Sequence, residues 1–301
     1  MTYNALPSAA VKHAIVFGDC WPVVSAVESI IDRVAPELTR NIATDLPSLI
    51  ELLLIKPDAV LLLCLRPREH IFLFYALRQE LIEHPVLIIS DEMFFNDRLT
   101  LRLWGGLPWM MQDELSGMII PPDQHEKFAS EVDSESDNTL TRFLLSPSLP
   151  VGFSEVPMVF HLEERLMDYM SLLTYREMLS KGLTPFRMRL LQYIWSGRSS
   201  QDELSEAMGE NQGKIWNEKH RLFIQLGISN RRLREILYGT QFCSFLQQTP
   251  FIAPAEVATI RSRVDVSAIS ARENSDCPGK SQKEEGQKCA VNYQDKRLLP
   301  E

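Results

Sequence analysis

The feature that most constrains this 301-residue chain is a continuous apolar run, Val60–Leu65, enclosed between Pro57 and Pro67. A strand with one exposed face alternates apolar and polar residues, so an unbroken run is typical of a strand buried on both faces. Such strands belong to parallel sheets that helices cover on either side. The run therefore predicts an α/β domain around residues 56–67.

The segments on either side of this run alternate between strand-like and helix-like patterns over residues 11–112. Apolar residues recur at helical spacing in four segments, and Asp45 is placed to cap the second of them. The alternation predicts a doubly wound, five-stranded parallel sheet. The predicted strands lie at 13–18, 40–44, 60–65, 85–90 and 108–111, and the predicted helices at 23–35, 46–55, 69–82 and 97–105.

Composition divides the chain into four parts. Residues 1–115 hold the predicted sheet, and residues 116–160 are acidic and then rich in Pro and Ser, which is typical of a linker. Residues 161–246 have helical periodicity and form a second predicted domain. Residues 247–301 are polar with balanced charge, which predicts a disordered tail.

The distribution of charge bears on the choice of partner. A net charge of −9, spread evenly, would argue against a nucleic-acid partner. Residues 176–245, however, carry eleven Lys and Arg against seven Asp and Glu, a net charge of +4, which leaves −13 on the rest of the chain. A basic segment inside an acidic protein directs attention to residues 176–245.

Several classes of protein are disfavoured. No apolar run approaches the roughly 18–20 residues that span a bilayer, and the N-terminus lacks the layout of a secretory signal, so we expect a cytoplasmic protein without membrane association. The five cysteines form no CxxC pair, which argues against a disulfide framework or a zinc site. Gly-rich phosphate loops and GxSxG or HExxH motifs are absent, so neither an enzyme nor a cofactor is predicted.

Residues 183–229 carry the pattern that is most informative about function. A first helix ends near Gly197, and a short second helix covers 201–208. Asn211 is placed to cap a third, longer helix that ends at Gly227. A helix, a short helix, a tight turn and a longer helix make up a helix-turn-helix, whose last helix enters the major groove of DNA.

This stretch resembles the LuxR-type (GerE-like) DNA-binding domain, without a gap, from Leu183-Thr184 to the closing Leu226-Gly227. It departs from the family's usual pattern at three positions. Arg187 stands where a Glu is usual, and Asn211 and Lys214 stand where Ser or Thr, and then Thr, are usual. Asn also caps helices, so we expect the fold to be kept and the base preference to differ.

The resemblance implies which residues meet DNA. Asn217 suits a bidentate contact to adenine, and Glu218 either accepts from a cytosine amine or is a solvated charge. The alternative is an ordinary three-helix packing unit with a solvated charged face. The implied groove-facing residues are Trp216, Asn217 and His220, and the implied phosphate neighbours are Lys214, Lys219 and Arg221.

The N-terminal domain, followed by a linker and a helix-turn-helix, resembles the receiver domain of a response regulator. A receiver binds Mg²⁺ through an acidic pair after its first strand and is phosphorylated on an aspartate that ends its third strand. Alignment on Pro57-Asp58 and Pro67 puts Leu63 at the acceptor position, and Cys20 and Gln112 replace an acid and a lysine. The site therefore has the residues Asp19, Cys20, Leu63, Ser90 and Gln112, and it cannot accept a phosphoryl group.

Together these resemblances imply a transcriptional regulator that binds double-stranded promoter DNA without phosphorylation, as a homodimer or as a heterodimer with a related regulator. One alternative is an interaction module that modulates a partner regulator by heterodimerisation with little DNA contact, which Trp216 and Glu218 favour. Another is an N-terminal domain that senses a small ligand in place of phosphate, with Cys20 and Cys64 near its pocket. A small α/β domain unrelated to receivers is also compatible with the sheet pattern alone.

Overall fold

The computed structural model describes residues 11–119, 138–228 and 233–275. Residues 13–119 form the sheet domain, whose five strands are all parallel and lie in the order β2-β1-β3-β4-β5. Helices cover both faces, so the predicted doubly wound sheet is confirmed. The strands are β1 His13–Gly18, β2 Thr39–Ile42, β3 Ala59–Cys64, β4 Val86–Ser90 and β5 Trp109–Met111.

Strand β3 is the centre of the sheet, between β1 and β4. All six of its residues are buried, which confirms the reading of the apolar run. Leu63 lies opposite Phe17 of β1 and opposite Ile88 of β4. Because side chains alternate between the faces, Leu61 and Leu63 belong to one apolar cluster, whereas Leu62 belongs to the cluster on the other face.

The helices of the sheet domain follow the predicted positions with one exception. Asp45 caps α2 through a hydrogen bond of 2.8 Å from the backbone N–H of Ser48, as predicted. The single helix predicted over 69–82 is wrong, because a 3₁₀ helix at Pro67–Glu69 and two short helices occupy that segment. The helices are α1 Trp21–Val34, α2 Leu46–Ile55, α3 Ile71–Ala76, α4 Glu80–Glu83, α5 Phe95–Leu103 and α6 Ser116–Ile119.

Much of the predicted linker packs against the sheet domain. Helix α7, Thr139–Leu145, lies on α1 and buries Leu140 and Phe143 in the apolar cluster of that face. Further on, the N–H of Gly152 donates to the carbonyl oxygen of Gly105 at 3.1 Å. Residues 138–160 therefore do not form a free spacer, and the acidic part of the linker, 120–137, lies outside the described residues.

Residues 163–228 and 233–246 form the helical unit. Its interior is continuous with the apolar cluster on one face of the sheet, which runs from Leu61 through Trp104 to Met170, Leu190 and Leu222. The sheet domain and the helical unit therefore share one core. The helices are α8 Glu163–Ser180, α9 Pro185–Trp195, α10 Gln201–Met208, α11 Gln212–Leu226 and α12 Leu233–Gly239, followed by a 3₁₀ helix at Ser244–Leu246.

The tail differs from the expectation of disorder over its described part. Residues 254–275 form helix α13, Pro254–Ser275, in which Val257 is buried. The polar composition misleads because a small number of residues, among them Phe251, Val257 and Arg261, anchor this segment. The rest of the predicted tail, 276–301, lies outside the described residues. Within the described ranges, no helix has the length and the apolar character needed to cross a membrane.

We expect Gly18→Ala to lower the free energy of unfolding. A Cβ atom at Gly18 would lie 2.6 Å from the carbonyl oxygen of Cys64, so β1 and β3 would have to separate. Overpacking of this kind costs about 1–3 kcal/mol. Urea unfolding measures the loss. Gly213→Ala in α11 is the control: its Cβ would meet its nearest atom only at 3.5 Å, and stability should be unchanged or higher. Equal stability of the two variants would contradict this account.

Candidate nucleic-acid interface

The three helices α9, α10 and α11 begin and end at residues that suit those positions. Thr184, Ser200 and Asn211 each accept a hydrogen bond from the backbone N–H three residues later, as N-cap residues do. Gly209 and Gly227 end α10 and α11 in the left-handed conformation, at φ 65° and 69°. The predicted helix-turn-helix boundaries are confirmed, and α11 is the candidate recognition helix.

Helix α11 presents one face to solvent and one to the core. Lys214, Trp216 and Asn217 are exposed, and Trp216 keeps 50% of its surface accessible. Ile215 and Leu222 are fully buried against the neighbouring helices. The N-terminal half of α11 is thus anchored by its buried face and accessible on the opposite face. A helix that enters a groove needs both.

Two aromatic rings of this face stack on each other. The ring centroids of Trp216 and His220 are 5.7 Å apart, and the planes meet at 11°. Beside them lies an open recess of about 150 Å³, whose walls combine apolar groups with an amine, an amide and an imidazole. The recess is lined by Gln201, Ile215, Trp216, Lys219, His220 and Phe223.

Glu218 points toward the protein and forms an ion pair. Its carboxylate accepts from Nε of Arg187 at 2.7 Å, and their side chains are only 17% and 12% exposed. Arg221 donates to the same carboxylate at 3.1 Å. The expectation that Glu218 faces a base or bulk solvent therefore does not match its position. Arg187, which stands where the LuxR-type pattern usually has Glu, compensates this charge together with Arg221.

The cations of α11 lie along its exposed rim. Nζ of Lys214 contacts a carboxylate oxygen of Glu210 at 2.5 Å, and Nζ of Lys219 donates to the carbonyl oxygen of Ser199 at 3.3 Å. Partial burial lowers the pKa of Lys219. The guanidinium of Arg221 is the most exposed of the three cations. These groups give the rim the positive character that phosphate contact requires.

The carboxyl edge of the sheet holds the positions predicted from the receiver resemblance. Asp19 and Cys20 follow β1 and are exposed, whereas Leu63 is fully buried inside β3. Ser90 ends β4, and its hydroxyl donates to the carbonyl oxygen of Glu92 at 2.7 Å. Gln112 stands in the 3₁₀ helix after β5. The position that the resemblance aligns with the acceptor aspartate is thus a fully buried leucine.

An ion-pair network at this edge was not foreseen from the sequence. The buried guanidinium of Arg68 contacts the fully buried carboxylate of Asp97 at 2.6 Å. Arg66 makes two hydrogen bonds to Asp91, at 2.8 and 2.5 Å, which raise the pKa of Arg66 and lower that of Asp91. Burial raises the pKa of Asp97, and Arg68 acts in the opposite direction. The sequence does contain a signal for this network, because basic residues follow β3 and acidic residues follow β4.

The remaining acid of the predicted site also has a partner. Nε2 of buried His70 lies 3.2 Å from a carboxylate oxygen of Asp19. No group of three or more His, Cys, Asp or Glu within the described ranges is arranged to hold a metal ion. Burial raises the pKa of the Cys64 thiol to about 12, so this cysteine is present as an unreactive thiol at neutral pH.

Comparison with known proteins adds little to this picture. No family model and no curated protein matches the sequence. A structure of RcsB from Salmonella enterica serovar Typhimurium bound to promoter rprA is 13% identical, with a TM-score of 0.43, and the match covers 77% of this chain and 100% of that chain. A further structure of the Salmonella typhimurium RcsB response regulator is 12% identical, with a TM-score of 0.30, over 75% of this chain and 98% of that one. TM-scores this low do not establish a common overall fold.

We expect Arg68→Met to destabilise the sheet domain far more than Arg40→Met. Loss of Arg68 leaves the carboxylate of Asp97 buried without a cation, which costs about 3–5 kcal/mol. Arg40 pairs with Asp32 on the surface, where both side chains are at least 40% exposed, and its loss should cost at most about 1 kcal/mol. Urea unfolding of the two variants measures the difference, and similar losses would show that the Arg68 pair is not a structural anchor.

Proposed function

We propose that this protein is a sequence-specific regulator of transcription that binds double-stranded promoter DNA through α11. The observation that carries the proposal is the exposed N-terminal half of this helix, held by well-capped neighbours and rimmed with cations. The protein acts as a homodimer or as a heterodimer with a related regulator, since a recognition helix of this kind reads one half-site.

In this proposal, different residues of α11 contact the bases and the phosphates. The amide of Asn217 matches the donor and acceptor of an adenine edge in the major groove. The exposed ring of Trp216 offers an apolar surface to the thymine methyl of a neighbouring base pair. Lys214, Lys219 and Arg221 contact phosphates and supply affinity that depends on salt. We therefore expect each DNA half-site to contain A·T base pairs.

DNA binding in this proposal does not depend on phosphorylation. The acceptor position is Leu63, a buried hydrocarbon without a nucleophile. The positive charges at the same edge are those of Arg66 and Arg68, which pair with Asp91 and Asp97. The loops after β3 and β4 are thus held by permanent ion pairs, and a phosphoryl group or Mg²⁺ is not needed to order them.

A second candidate function is an interaction module that modulates a partner regulator by heterodimerisation. The exposed ring of Trp216, which stacks on half-buried His220, favours it, because aromatic side chains are common anchors of protein interfaces. Glu218 no longer supports it, since Arg187 compensates its charge. The two candidates differ in salt dependence: phosphate contacts give a steep loss of affinity with salt, and protein contacts give a shallow one.

We expect Asn217→Ala and Lys219→Ala each to weaken DNA binding, measured by gel shift on a sequence first selected from random DNA with the wild-type protein. Loss of a base contact by Asn217→Ala should cost about 1–3 kcal/mol and relax specificity at one position. Lys219→Ala should weaken binding to all sequences and reduce the salt slope by about 1.

Arg263→Ala is the control for both variants, because Arg263 is an exposed cation on α13 outside the helical unit, and its removal should leave affinity unchanged. Unchanged affinity in both test variants would contradict the assignment of α11. Failure to select any DNA, together with salt-insensitive capture of a related regulator, would favour the interaction module.

We also expect no stable phosphoryl incorporation when the full chain is incubated with radiolabelled acetyl phosphate and Mg²⁺. Leu63 offers no oxygen, and Asp58 lies at the opposite end of β3, one residue before the strand begins. The affinity for the selected DNA should be the same with and without acetyl phosphate. Incorporation that maps to residues 1–115 would overturn the claim that the switch is lost.

A further inference from the structure

Residues 247–264 leave the helical unit and return to the sheet domain. The side-chain oxygen of Gln247 accepts from the backbone N–H of Ile71 at 2.8 Å, and its amide nitrogen donates to the carbonyl oxygen of Arg68 at 2.9 Å. The N–H of Gln248 donates to the carbonyl oxygen of Glu69 at 2.8 Å. Because the first N–H groups of a helix have no partner within it, Gln247 serves as a cap for α3 from 176 residues away.

An apolar contact follows these hydrogen bonds. The ring of Phe251 meets the ring of Phe72 edge-on, with centroids 5.4 Å apart, and stacks on Tyr75 at 6.0 Å. Beyond it, α13 packs on α2 and buries Val257. These residues cover apolar surface of the sheet domain that would otherwise face water.

A buried ion pair closes the attachment. Nε and Nη2 of Arg261 each lie 2.9 Å from a carboxylate oxygen of Glu80, which is only 2% exposed. A carboxylate buried to this degree needs a cation, because an unpaired buried charge is strongly destabilising. The burial of Glu80 therefore depends on α13, which covers this carboxylate and supplies the cation that pairs with it.

The attachment is also linked to the carboxyl edge of the sheet. Buried His70 lies between the two: its Nδ1 is 2.8 Å from the hydroxyl of Thr249, and its Nε2 is 3.2 Å from Asp19. One imidazole thus joins the last acid of the predicted receiver site to the returning segment. A change at Asp19 has a direct hydrogen-bonded route to residue 249.

We propose that residues 247–264 act as a C-terminal clasp, which locks the helical unit onto the sheet domain and sets the orientation in which α11 is presented. The chain enters the helical unit from the sheet domain and comes back to it, so the unit is tethered at both ends. The clasp fixes the arrangement of domains that phosphorylation would control in a switchable receiver; this last step rests on the proposed function, whereas the lock itself does not.

The test compares two truncations of the full chain by small-angle scattering and hydrogen exchange. Removal of residues 247–301 deletes the clasp, and removal of 276–301 keeps it. We expect the first truncation to increase the radius of gyration and to speed exchange at the amides of 71–77 about tenfold or more. The second should match the full chain. Unchanged scattering and exchange in the first would overturn the proposal.

If the chain that lacks residues 247–301 does not fold, point variants provide the test. Arg261→Gln should speed exchange over 71–83, whereas Arg263→Gln, on an exposed residue of the same helix, should not. Glu80→Gln combined with Arg261→Gln should restore part of the protection, because no buried charge is left unpaired. Equal exchange in the two arginine variants would contradict the clasp. If no form of the protein, the wild type included, binds DNA while scattering and exchange still change as expected, the proposed function is contradicted and the clasp is not.

Discussion

Burial of β3 on both faces is the constraint on which the rest of this structure depends. One face is closed by α1 and α7, and the apolar cluster there includes Leu62 and Phe143. The other face carries Leu61 and Leu63 and is closed by α2, α3 and the helical unit, through Trp104 and Met170. Because apolar area removed from water is the main stabilising contribution to folding, the helical unit is part of what stabilises the sheet.

The carboxyl edge of the sheet is crossed by ion pairs between its loops. A receiver needs open carboxylates there, because a hard cation takes oxygen ligands and leaves room for phosphate. Here the guanidinium groups of Arg66 and Arg68 face acids that follow β4 and begin α5. The charges of these four side chains are balanced within the protein.

What the sequence could predict follows from the range of the interactions involved. The strands and the caps at Asp45, Thr184 and Asn211 rest on residues within a few positions of each other, so local patterns carry them. The break in the helix predicted over 69–82 and the ordered segment after 247 rest on pairs such as Arg261 and Glu80, which are 181 residues apart in the chain. Local composition cannot reveal a partner at that distance, and a polar segment with three or four anchors looks the same as one with none.

The two ends of α11 differ in their surroundings. Its N-terminal half is exposed and carries Asn217, whereas its C-terminal end packs toward α5, where Arg98 donates to the carbonyl oxygen of Leu226 at 3.4 Å. Gly227 lies beside the same guanidinium, and a Cβ there would meet Nη2 at 3.2 Å. The C-terminal end of α11 therefore contacts the sheet domain directly. A change in how the sheet domain and the helical unit meet would also move this helix.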